Sequence, residues 1–144
     1  MTQEDKELLL QDLSARLPYG VMCNIGLKYP LQLQRIFVDR LDGILLDFYE
    51  DGDDYQVYLS EVKPYLRPMS SMTEEEKKEY NSFLFDNLER EDVIGYEDKA
   101  FGIDVIMRYR SWEVIQWLLE HHLDFNGLID VYGLALEAPE GMYR

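Results

Sequence analysis

Acid–base chemistry near neutral pH favours an imidazole, and the chain has two histidines, His121 and His122, followed closely by Asp124. Successive residues on a helix diverge by about 100°, so the pair cannot grip one ion together. One of them could still act as acid or base with Asp124, or with a carboxylate from distant sequence. A histidine pair near the negative end of a helix dipole is the simpler reading. The single cysteine, Cys23, excludes an internal disulfide, has no basic neighbour, and lies in an apolar run that favours burial over nucleophilic use. The densest carboxylate loop, "EDGDD" at 50–54, invites a calcium reading, but an EF-hand loop is longer and lies between helices. A solvated hairpin tip accounts for it better. No phosphate-cradling glycine loop, nucleophile elbow, Cys/His zinc set or defensible pair of glycosidic carboxylates occurs, so no catalytic, cofactor-binding or metal-binding residue is assigned. The chain is read as a non-enzyme without a cofactor.

The elements that would position such groups follow from periodicity. Thr2 caps a helix with Glu4 and Asp5 in its first turn and Leu8, Leu9, Leu13 and Leu17 at helical spacing, stopped by Pro18 and Gly20. A short strand is expected over 21–25. Leu31, Leu33 and Arg35 then alternate with Gln32, Gln34 and Ile36, and the apolar face changes sides before Phe37 and Val38, which predicts a bulge or sharp bend. Asp42 and Gly43 suit a hairpin turn. Its second arm puts Ile44, Leu46 and Phe48 on one face, and the acidic tip returns the chain into Tyr55, Val57 and Leu59.

Pro64 and Pro68 cannot donate to a ladder, so 63–68 is expected as an edge strand or polyproline-like segment that ends the sheet. Thr73 followed by Glu74, Glu75 and Glu76 forms a capping-box pattern that opens a helix with Tyr80, Phe83, Leu84 and Leu88 on its apolar face. The stretch "EVKPYLRPMSSMTEEEKKEY" at 61–80 is therefore the joint between a sheet and a helix; only Tyr65 and Arg67 are left without a reason by that reading. A loop is expected over 87–99 and a strand through Phe101, Ile103, Val105 and Met107. Ser111 then caps a helix with Trp112, Ile115, Leu118 and Leu119 buried; Asn126 and Gly127 end the helical region, and an irregular tail carries Pro139 and Gly141.

These elements predict an α+β fold in one domain spanning 1–144: a helix over 1–18, a β-meander over 20–68, a helix over 73–90, and a strand, helix and irregular tail over 100–144. The sheet is expected to be a strongly bent antiparallel one or a small SH3-like barrel, flanked by the N-terminal helix and two later helices.

The net charge is −15, with 29 acidic against 14 basic residues. Up to Leu46 six acidic and five basic residues nearly cancel, so the negative charge belongs to the folded remainder and is not a tail. Such a surface repels nucleic-acid phosphates and anionic membranes and favours basic partners. The acidic N-terminal stretch lacks the basic start of an export signal, and the expected location is the cytoplasm.

The segments "TQEDKELLLQDLSARLPYGV", "DGILLDFYEDGDD", "VKPYLRPMSSMTEEEKKEY" and "GLALEAPEGMY" together resemble a group of uncharacterised small acidic proteins encoded by gut Bacteroidales and their phages or mobile elements. The resemblance covers both parts of the chain around an unmatched stretch at about 83–110. It implies a bacterial or phage-infected cytoplasm and brings no catalytic residue with it.

Charge, aromatics and the lack of an active-site pattern lead to a non-enzymatic acidic protein-interaction module, a phage or mobile-element accessory factor that binds a host protein. The 11 tyrosines and two tryptophans supply residue types that anchor interfaces. The candidate surface comprises Asp47, Asp51, Asp53, Asp54, Tyr55, Tyr58, Tyr65, Arg67, Glu74, Glu75 and Glu79, with Tyr109 a further tyrosine of the sheet's outer face. Three other readings stay open: a nucleic-acid-mimicking inhibitor of a basic defence enzyme, a virion or assembly component, and a small enzyme whose histidine meets a distant carboxylate in a cleft.

Overall fold

The computed structural model describes residues 1–41, 43–87 and 112–143, with side chains for all of these except 84–87. Asp42, Leu88, Tyr109 and Ser111, the side chain of Leu84, and the expected loop and strand over 88–110 lie outside the described residues.

Helix α1 (Gln3–Arg16) opens with a reciprocal cap: Asp5 N–H donates to Thr2 Oγ1 and Thr2 N–H to Asp5 Oδ2, both at 3.1 Å. Its buried stripe is Leu9, Asp12, Leu13 and Arg16, two leucines and two charges. A 3₁₀ turn at Leu17–Tyr19 and left-handed Gly20 end it.

Strands β1 (Met22–Asn24), β2 (Leu31–Asp39), β3 (Gly43–Glu50), β4 (Asp53–Tyr58), β5 (Lys63–Leu66) and β6 (Leu136–Glu137) form one sheet in the order β4-β3-β2-β1-β5-β6. It curls into an open half-barrel. The predicted bulge is present: pairing steps from Leu33 opposite Phe48 to Arg35 opposite Asp47, which leaves Gln34 over and moves the apolar face from Leu33 to Ile36. The acidic tip is a two-residue turn in which Asp51 and Gly52 both have positive φ, 47° and 89°, the type I′ geometry that matches strand twist.

Three expectations are corrected. β5 does not end the sheet, because β1 pairs with it antiparallel and β6 pairs with it parallel. The two ladders follow in succession: Lys63 and Pro64 face β1, then Tyr65 and Leu66 face β6, so Pro64 sits at the last rung of one ladder before the next begins. The sheet is accordingly mixed, and the tail holds a strand that its composition does not announce.

Helix α2 (Glu74–Asn87) starts with the predicted box, Glu76 N–H to Thr73 Oγ1 at 3.1 Å and Thr73 N–H to Glu76 Oε1 at 2.9 Å. Helix α3 (Trp112–Glu120) packs on it by stacking Trp117 against Tyr80, with ring centroids 6.0 Å apart. Trp112, expected in the core, is exposed; the buried face is set by Val114, Trp117, Leu118 and Leu119. One apolar cluster joins α1 to the sheet through Leu9, Leu13, Val21, Leu46 and Phe48, and a second joins α2, α3 and Leu123. Among the described residues no helix is long and apolar enough to cross a membrane.

Candidate functional site

The end of α3 organises a polar region. His122 takes a left-handed conformation, φ 58°; its N–H donates to Leu119 O at 3.0 Å, and Leu123 N–H reaches back to Leu118 O at 3.0 Å. This is a Schellman ending with histidine in the place that usually falls to glycine. The helix therefore stops before Asn126 and Gly127, and the two histidines diverge: His121 stacks on Trp117 at 4.2 Å, His122 on Tyr143 at 3.6 Å.

Arg67, just past β5, lies beside this ending. Its N–H donates to His122 O at 2.7 Å, and its carbonyl accepts from Asp124 N–H at 2.8 Å. Its guanidinium forms a two-point pair with Glu76, Nη1 to Oε2 at 2.8 Å and Nη2 to Oε1 at 2.7 Å, and also reaches the carbonyls of His121 and Ser71. Hydrogen bonding from Arg67 holds the Glu76 carboxyl down at about 2, far below the usual carboxylate range. His121 Nδ1 lies 2.8 Å from Trp117 O, and its Nε2 is 4.0 Å from Glu76. Burial, followed by the charges of Arg16, Arg67 and His121, pushes the His122 imidazole down to about 4, so it is neutral at pH 7. These groups, with the chain from Glu137 to Tyr143, line a cavity of about 610 Å³.

Arg67 and Tyr65 thus acquire their reasons. Arg67 ties the end of β5 to the start of α2 and the end of α3. The Tyr65 hydroxyl accepts from Asn24 Nδ2 at 3.3 Å, while its carbonyl accepts from the Tyr143 hydroxyl at 2.6 Å. That same Tyr143 oxygen accepts from Met22 N–H at 2.9 Å, stitching β1 to β5.

The remaining surface candidates divide. Asp51, Asp53 and Asp54 are exposed at the tip of the β3–β4 hairpin, and Tyr58 is exposed on its outer face. Asp47 is corrected from a surface carboxylate to a buried one, paired across strands with Arg35 at 3.2 Å. Tyr55, opposite Phe48, faces the core and not the outside. Glu74, Glu75 and Glu79 are exposed on α2, which follows β5, and three strands separate β5 from β4 in the sheet order. Glu74 pairs with Lys77 at 3.2 Å, and Glu79 accepts from Trp117 Nε1 at 2.9 Å. Cys23 is fully buried, and burial raises its thiol pKa, as a structural cysteine requires.

Sequence reasoning passed over the buried pair of α1. Arg16 Nε donates to Asp12 Oδ2 at 2.7 Å with both side chains fully buried; Arg16 Nη2 donates to Leu123 O at 2.7 Å, and Asn126 Nδ2 to Asp12 Oδ1 at 3.0 Å. Its signal was present: residues 9, 12, 13 and 16 are one helical stripe, and two of them are charged. Nearby, Asp124 accepts from the N–H groups of Leu128 and Ile129 at 2.8 and 2.9 Å, a structural use of this carboxylate.

No protein-family model, curated protein or solved structure matches the chain.

Proposed function

We propose that the chain is a non-enzymatic acidic interaction module of the bacterial or phage-infected cytoplasm, which engages a protein with a basic surface through the β3–β4 hairpin. The observation that carries this reading is the outer face of that hairpin. Tyr49 and Tyr58 are 55% and 45% exposed there, and Tyr49 stands directly opposite Asp54 beside a tip bearing Asp51 and Asp53. Amphipathic rings that cost little entropy to order, set among carboxylates, suit a partner rich in lysine and arginine. The commitment of Glu76 to Arg67 and of His122 to a stack on Tyr143 gives these groups structural duties, which supports the non-enzymatic part of the reading.

The test is capture of partners by the tagged protein from a Bacteroidales lysate, the setting the resemblance implies, at low and high salt. Asp51→Asn/Asp53→Asn/Asp54→Asn and Tyr49→Ser/Tyr58→Ser variants run beside the wild type. A basic protein held by the wild type and lost by both variants supports the proposal; capture indifferent to the hairpin overturns it.

A further inference from the structure

We propose that the cavity between Arg67, the end of α3 and the 137–143 segment is a binding site for an organic cation, a primary ammonium or guanidinium group on an alkyl stem. Its volume, about 610 Å³, lies within the roughly 300–1,000 Å³ range of ligand pockets. Arg67 is the one Lys or Arg among the described lining residues, and its charge is cancelled by the two-point pair with Glu76. Glu120 and Glu137 remain on the walls and give the cavity a negative balance.

α3 ends in the wall at Glu120 with its last carbonyls taken by the Schellman ending and by Arg67, just as the amide end of α2 is closed by the Thr73–Glu76 box. An anion would meet spent donors and unspent carboxylates. A cation meets the carboxylates of Glu120 and Glu137.

His122 supplies a second kind of observation. The residue is only 8% exposed and lines the cavity, and its Nδ1, itself shut off from solvent, has no hydrogen-bond partner among the described residues. Its ring is kept neutral, its pKa pushed down to about 4, so it does not repel a cation, and its stack on Tyr143 offers a flat wall. Pro139 and Met142 give the alkyl stem apolar contact. This site is separate from the hairpin, and either can fail without the other.

Two sources present this chemistry, a free amine and the side chain of a bound polypeptide. The full-length ¹⁵N-labelled protein is titrated with 1,4-diaminobutane and with acetyl-Gly-Lys-Gly-amide, with butane-1,4-diol and acetyl-Gly-Gln-Gly-amide as neutral controls. Saturable shifts at Ser71, Thr73, Glu120, His121 and Gly141 are expected with at least one cation and neither control. Saturation by the diamine alone assigns the site to a free amine; saturation by the peptide assigns it to a lysine side chain. Glu120→Gln/Glu137→Gln, two exposed positions, is expected to weaken binding about fivefold, with thermal unfolding unchanged. No saturable shift with either cation, equal shifts with the diol, or undiminished affinity in the double variant overturns the proposal.

Discussion

The guanidinium of Arg67 and the carboxylate of Glu76 meet edge to edge through two bonds of 2.8 and 2.7 Å, and the same carboxylate accepts from Thr73 N–H at 2.9 Å. One ion pair thereby fixes where α2 begins relative to the end of β5 and, through His121 O, to the end of α3. Glu76→Gln is expected to cost about 2 kcal/mol in urea unfolding, since it removes charged hydrogen bonds that are half sheltered from water. Arg67→Lys is expected to lose most of that amount too, because an ammonium cannot make the two-point contact.

Acid should destabilise the protein in two stages. His122 has its affinity lowered from 6.5 to about 4, so the unfolded chain takes up a proton in that interval that the folded one refuses. Stability is whole above about pH 6.5 and falls toward pH 4. Glu76, lowered from 4.5 to about 2, contributes stability present above pH 4.5 and lost as pH falls toward 2. Urea midpoints measured against pH should show both slopes. His122→Asn, which tolerates the left-handed backbone, is expected to flatten the upper one and Glu76→Gln the lower.

Breaking the buried pair of α1 should be expensive. Arg16→Met leaves the Asp12 carboxylate buried without its cation and with Asn126 as its side-chain hydrogen-bond partner among the described residues, an expected loss of about 3–5 kcal/mol. Asp12→Leu together with Arg16→Met should recover part of it, and a double-mutant cycle of unfolding free energies measures how much.

The hairpin tip separates charge from shape. Asp51 has φ 47°, which asparagine adopts readily and a β-branched residue does not. Asp51→Asn is expected to leave the melting temperature within a degree or two, while Asp51→Val should cost about 1–2 kcal/mol. Thermal scans distinguish the two.

What the sequence made legible was local. Thr2 and Thr73 announced both caps, the Leu33–Arg35 irregularity announced the bulge, and Gly52 announced the tip, because each depends on residues within a few positions of one another. The cavity was illegible for the opposite reason. His122 looked like a helix-end residue, and nothing near it in sequence foretold Tyr143 against its ring or Arg67 against its carbonyl. Pro64 misled for a related cause: a missing donor signals an edge only if both neighbours need that donor, and here the two ladders change over at Pro64 itself. Trp112 was drawn to the core by its size, although the register that buries Trp117 turns it to solvent.

The sheet is assembled from two kinds of neighbour, near and distant in sequence. β2, β3 and β4 join through short turns and can zip without closing a long loop. Cys23 must find Pro64, Tyr65 must find Leu136, and the Tyr143 hydroxyl sits 121 residues from the amide it binds at Met22. Closing such loops costs entropy before any contact rewards it, and proteins rich in distant contacts fold slowly for that reason. On that ground the hairpin that carries the proposed partner surface is expected to form before the cavity around His122, an order that pulsed hydrogen exchange during refolding would read.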